Sequence, residues 1–141
     1  MNDQDKLELV QQTYSNFKNG DIESLLAMMS DDIEWEIPQT ENMPFTGKRH
    51  GKEMVREFFN TMGMAQESLE FNPMEFITQG DKVVALGHYE WKTRESGQPY
   101  GGDWAHVFTI SNGKITGFHE YMDTAAVANA YKKQVVQNPV A

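Results

Sequence analysis

The chain has no cysteine among its 141 residues, which excludes disulfides, thiolate metal ligands and a cysteine nucleophile. Positive charge is also scarce, with 12 Lys and Arg against 21 Asp and Glu and a net charge of −9. Nucleic-acid binding draws most of its affinity from cationic contacts to phosphate, so nucleic acid is not an expected partner. The acidic residues are spread along the chain, a pattern that serves solubility more than an acidic docking tail. Long apolar runs are missing too. Hydrophobic residues make up 39% of the chain, and no stretch approaches the roughly 18 to 20 residues of a membrane span. The start, Met1-Asn2-Asp3-Gln4-Asp5, is acidic and polar, the reverse of a secretory signal. The expectation is therefore a soluble, cytoplasmic protein with no membrane association. Its length suits one domain, placed at residues 1–133, with a polar tail over 134–141.

What is present is organised by hydrophobic period. Leu7, Val10, Tyr14 and Phe17 recur at spacings of three and four, which predicts an amphipathic helix ending near Gly20. Asp21 can cap a second, short helix carrying Leu25, Leu26, Met28 and Met29, with Ser30-Asp31-Asp32 as the break after it. Ile33, Trp35 and Ile37 then alternate with Glu34 and Glu36 until Pro38, the period of a strand. A loop is expected from Gln39 to Gly47. Met54, Val55, Phe58, Phe59 and Met62 return to helical spacing. From Leu69 four strands are expected, with turns at Gln79-Gly80-Asp81, Glu95-Ser96-Gly97 and Ser111-Asn112-Gly113. A last helix covers about 124–133. Helices followed by clustered strands imply an α+β fold, with helices covering one face of a curved antiparallel sheet.

Three local patterns carry a resemblance that spans nearly the whole chain. They are Asn19-Gly20-Asp21 before a leucine-rich helix and Asp31-Asp32, the strand Ile33-Glu34-Trp35, and the run from Gly113-Lys114-Ile115 to Phe118-His119-Glu120-Tyr121-Met122-Asp123. The chain resembles the nuclear transport factor 2-like superfamily, especially its SnoaL-like branch, which includes polyketide cyclases and lies near ketosteroid isomerase. The resemblance implies a cone-shaped half-barrel whose concave face and overlying helices enclose a pocket for a small apolar molecule. It also implies a homodimer packed through the sheets. The reaction does not follow from the fold, because function lives in the side chains that line the cavity.

Which side chains those are depends on the last hairpin. A three-residue turn at Ser111-Asn112-Gly113 pairs His106 with Phe118 and Trp104 with Glu120. A two-residue Asn112-Gly113 turn pairs His106 with His119 and moves one strand's set to the other face. The three-residue turn is preferred, since it agrees with an acidic residue inside the cavity of limonene-epoxide-hydrolase-like proteins at the place of Glu120. The inward set is then Trp104, His106, Phe108, Phe118, Glu120 and Met122, joined by Trp35, Ile37, Tyr89 and Trp91. Tyr14, Phe17, Phe58, Phe59 and Met62 close the cone from the helices. An aromatic wall with a few polar groups is the composition of a small-molecule site, although the same residues can equally fill a core.

Glu120 and His106 are the chemically interesting pair. A carboxyl group in apolar surroundings resists ionisation and can exchange protons near neutral pH, and an imidazole can donate or accept a hydrogen bond. The alternative keeps Glu120 as acceptor for the indole N–H of Trp104 and His106 as a satisfied cavity histidine. Asp123, just before Thr124-Ala125-Ala126, suits a helix cap, and Asp103 and Glu90 are expected on the other face. His50 and His119 lack ligand spacing, so no metal site is expected. The limonene epoxide hydrolase triad is absent, with Gly87, Tyr89 and Ile37 at its remaining places. The leading expectation is a cofactor-free isomerase- or cyclase-type enzyme that moves a proton on a carbonyl compound. Glu120 is the base, and His106 and Tyr89 or Tyr14 are the donors. A non-catalytic binder of an apolar metabolite and a dimeric interaction module with a filled cone stay open.

Overall fold

The computed structural model of the protein describes residues 1–133; the expected tail over 134–141 lies outside the described residues. Helix α1, Asp3–Lys18, starts in a capping box between Asn2 and Asp5 and stops before Gly20, whose φ of +71° carries the chain out of the helix. Asp21 accepts from Ser24 N to cap α2, Ile22–Ala27. Strand β1, Met29–Ile37, begins two residues after α2. Ser30, Asp31 and Asp32, expected as a break, are thus part of the strand. The reason is a long-range pairing: Met29 lies beside Ile115, and Met28 O accepts from Ile115 N.

The remaining elements are β2 (Gly47–His50), α3 (Lys52–Ala65), β3 (Gln66–Gln79), β4 (Lys82–Thr93), β5 (Pro99–Ser111), β6 (Lys114–Tyr121) and α4 (Thr124–Tyr131). The four strands expected after α3 are all present. Strand β2 is additional; its four residues are too short and too polar to show a period. The curved, open sheet has the order β2-β1-β6-β5-β4-β3 and is antiparallel except for the parallel β1–β6 pair. Helix α1 packs against β3 and β4, α3 against β1, β2 and β3, and α4 against β5. Between helices and sheet lies one core, which includes Val10, Ile33, Trp35, Val55, Phe58, Phe108, Ile115 and Val127. No described helix is long and apolar enough to cross a membrane.

The β5–β6 hairpin corrects the expected register. Ser111 pairs with Lys114, and Asn112 and Gly113 have φ of +52° and +75°, so the turn has two residues with both in the left-handed region. Next, Ile110 pairs with Ile115 but Thr109 pairs with Gly117, leaving Thr116 as a bulge. Ile115 and Phe118 are both buried although they are three apart. A regular strand would put them on opposite faces, and the bulge brings them to the same one. Beyond it Phe108 faces Phe118 and His106 faces Glu120. The expected inward face is therefore kept, but the partner of Glu120 is His106 instead of Trp104.

Two glycines make room for particular neighbours. A Cβ on Gly87 would lie 2.3 Å from Trp104 Cζ2 and 2.5 Å from the backbone oxygen of Asn72. A Cβ on Gly101 would meet only the carboxylate end of Glu90, at 2.0 Å, and that flexible end can swing away. Gly87→Ala is expected to lose about 1–3 kcal/mol of stability through overpacking, and Gly101→Ala much less. Denaturant midpoints of the two variants check this; equal losses would contradict it.

Candidate active site

Helix α1 and strands β5 and β6 place three polar side chains in one line. Tyr14 reaches inward from α1 on the same stripe as Val10, and its Oη lies 2.7 Å from His106 Nδ1. His106 Nε2 lies 2.7 Å from Glu120 Oε2, across the β5–β6 pair. His106 is 4% exposed and the Glu120 side chain 14%. Burial, and secondarily the charge of Glu120, push the Tyr14 hydroxyl well above the ordinary phenol range, so it keeps its proton. The Tyr14 hydroxyl has no other acceptor among the described residues, so it donates to Nδ1, which leaves the imidazole proton on Nε2. The direction of the chain follows: Tyr14 O–H donates to Nδ1, and Nε2–H donates to Glu120. The histidine ring is held flat against Trp104, at 4.0 Å between centroids, and Trp104 in turn stacks on Phe71.

These groups border a cavity enclosed by the helices and the inner face of the sheet. Of the residues expected to line it, Tyr14, Phe17, Phe58, Phe59 and Met62 do so from the helices. Trp35, Ile37, Tyr89, Trp91, His106, Phe108, Phe118 and Glu120 do so from the sheet. Trp104 and Met122 do not. Trp104 is sandwiched behind His106, and Met122 follows the end of β6 and packs, half-buried, against the core. Nor does the Trp104 indole N–H reach Glu120: it has no partner, and neither has that of Trp35.

Thr13, Leu25, Met43, Phe45, Gln66, Phe71 and Tyr100 complete the wall and were not anticipated. Tyr100 shares the parity of His106 along β5, a signal the strand pattern did contain. Met43 and Phe45 come from the loop before β2, where no period exists to reveal them. The cavity volume is about 70 Å³, about half of the ~150 Å³ of an apolar cavity that takes up benzene. A ring-sized occupant must therefore displace side chains, and the unbranched Met43 and Met62 are suited to yielding.

Tyr89 Oη has no hydrogen-bond partner among the described residues, yet it is not sealed away from solvent-sized space. Burial, then the charges of Glu120 and Asp123, raise its pKa, so it too stays protonated as a free donor. Asp123 accepts from Ala126 N at 3.1 Å, the expected helix cap. Asp103 and Glu90 lie on the outer face, where both bond to His88 at 2.8 Å. His50 and His119 pair there with Glu34 and Glu36. One group with ligand-like spacing was not foreseen: Glu70, His88 and Glu90 bring ligand atoms within 4.8 Å of one another, but both His88 nitrogens are already engaged.

Burial raises Tyr14, Tyr89, Tyr100 and Tyr131 alike. The unfolded phenol titrates near about 10, so their contribution to stability is complete below that pH and falls as pH rises above it. In an alkaline titration their phenolate absorbance is expected to appear only together with loss of circular dichroism. More than one phenolate per native chain would contradict this.

Comparison with known proteins agrees with this architecture. The model of the SnoaL-like domain family matches residues 10–118. A nuclear transport factor 2-like protein from Burkholderia xenovorans LB400 superposes with a TM-score of 0.86 at 28% identity, covering 94% of this chain and 99% of that one. A second such protein, of unknown function, from Burkholderia pseudomallei K96243 has a TM-score of 0.83 at 25% identity, covering 92% and 98%. TerC, co-crystallised with polyporic acid, has a TM-score of 0.80 at 30% identity, covering 92% and 99%. No curated protein matches in sequence. With the family model spanning most of the chain and the same fold in these relatives, the protein belongs to the SnoaL-like domain family.

Proposed function

We propose that the protein is a cofactor-independent enzyme that moves a proton on a small, largely apolar carbonyl compound bound in the cavity. The observation that carries this reading is the buried Tyr14–His106–Glu120 chain ending at an aromatic cavity. Glu120 Oε2 is held by His106, which leaves Oε1 as the oxygen that takes a proton from the carbon next to the substrate carbonyl. Tyr89, with its unused O–H, donates to the oxygen on which negative charge develops. His106 keeps the carboxylate oriented, and its Nδ1, filled by the Tyr14 hydroxyl, keeps the ring from rotating. Returning the proton to a different atom gives an isomerisation. Attack of the carbanion on a second carbonyl of the same molecule gives a cyclisation. The relation to TerC, crystallised with polyporic acid, supports a small organic ligand.

A second reading, a non-catalytic binder, is favoured by the aromatic lining, because burial of apolar surface alone can hold a ligand there. Hydrogen–deuterium exchange at the carbon beside a ketone carbonyl, followed by NMR in heavy water, separates the two. The wild type is expected to accelerate exchange in a benzo-fused cyclic ketone such as β-tetralone. Glu120→Gln should lower that rate by about 10²–10⁴, and Tyr89→Phe by about 10²–10³, with affinities little changed. Saturable binding without any exchange would support the binder instead.

A further inference from the structure

The cavity has a second polar end that the proton-transfer groups do not use. Gln66 opens β3 directly after α3, and its backbone N–H closes that helix on Met62 O. Its side chain is on the cavity wall, and the residue is only 3% exposed. Gln66 Oε1 accepts from Tyr100 Oη and from Tyr131 Oη, each at 2.5 Å. Burial keeps both phenols protonated, so both have a hydrogen to give. A carboxamide oxygen has two lone pairs, and both are thereby taken. The amide is turned with Oε1 toward this pair of donors, and Nε2 is left with its hydrogens. Among the described residues Nε2 has no acceptor, yet it is not sealed off from solvent-sized space. In a wall this apolar, such a donor needs an acceptor, which water or a ligand oxygen can supply.

Position along the strand tells what shape of ligand this suits. Tyr100 and His106 are six residues apart on the same face of β5, at most about 20 Å at ~3.3 Å per residue. Between the two ends the strand register places the flat rings of Trp91, Tyr89 and Phe71 on the wall.

We infer that Gln66, positioned by Tyr100 and Tyr131, is a specificity-determining residue whose Nε2 binds an oxygen acceptor on the substrate remote from the reacting carbonyl. The substrate class is then an aromatic or polycyclic ketone with a second oxygen function, an ether, carbonyl or phenolate. This rests on the cavity being the ligand site of the proposed function.

The test is calorimetric titration of the full chain with β-tetralone and with its ring-methoxy and ring-amino isomers. At least one methoxy isomer is expected to bind about three- to tenfold more tightly than β-tetralone, which is what one net hydrogen bond supplies. In Gln66→Met the ratio of methoxy-isomer to β-tetralone affinity should fall to about one. The wild-type ratio alone decides the matter if the variant does not fold. A wild-type ratio near one for every methoxy isomer, a preference for the amino isomers, a preference that survives Gln66→Met, or binding of neither ketone overturns the inference. Exchange measurements on the same ligands keep the two proposals apart. A methoxy preference without exchange removes the proton-transfer reading and leaves the subsite, and exchange without a preference does the reverse.

Discussion

The hydrogen-bonded line from Tyr14 through His106 to Glu120 is the constraint around which the molecule is arranged. It joins α1, β5 and β6, elements that lie 92 residues apart in one link and 14 in the other. A buried carboxylate is costly unless its partners are fixed, so the neighbours of this line have little freedom. Trp104 fills the space behind the imidazole and sets its plane. Gly87 lacks a side chain because Trp104 occupies that position. The Thr116 bulge exists where β6 must bury Ile115 and still bring Phe118 and Glu120 to the inner face. Together these local features hold the buried Tyr14–His106–Glu120 line against the cavity.

Around that line the cavity is built mainly from rings and is polar at its two ends. Glu120 and His106 mark one end, and Gln66 with its two tyrosines marks the other. Aromatic walls supply burial without competing hydrogen bonds, which leaves orientation to the few polar groups. The outer face of the sheet follows a different logic. There His88 sits between Asp103 and Glu90, whose bonds raise its pKa, and its exposure limits what those pairs add to stability.

Much of this was legible in the sequence, and what was missed has physical causes. Helical and strand periods located α1, α3 and the four long strands, and alternation put His106, Phe108, Phe118 and Glu120 on the cavity side. The Asp123 cap was readable because capping is local. The partner of Glu120 was not, since register depends on a bulge whose only sequence trace is that Ile115 and Phe118 are both apolar. The parallel β1–β6 pair was invisible for a similar reason: it joins segments about 80 residues apart. Gln66 gave no signal either, because a lone glutamine at a helix–strand junction looks like a solvated residue until the fold brings Tyr100 and Tyr131 to it.

The most direct test of the central line is the nitrogen NMR spectrum of His106 in protein labelled at histidine. The arrangement predicts the proton on Nε2, with Nδ1 as acceptor. Tyr14→Phe should then move mainly the Nδ1 resonance, and Glu120→Gln mainly that of Nε2. A proton found on Nδ1 alone, or a His106 spectrum indifferent to both substitutions, would contradict the account.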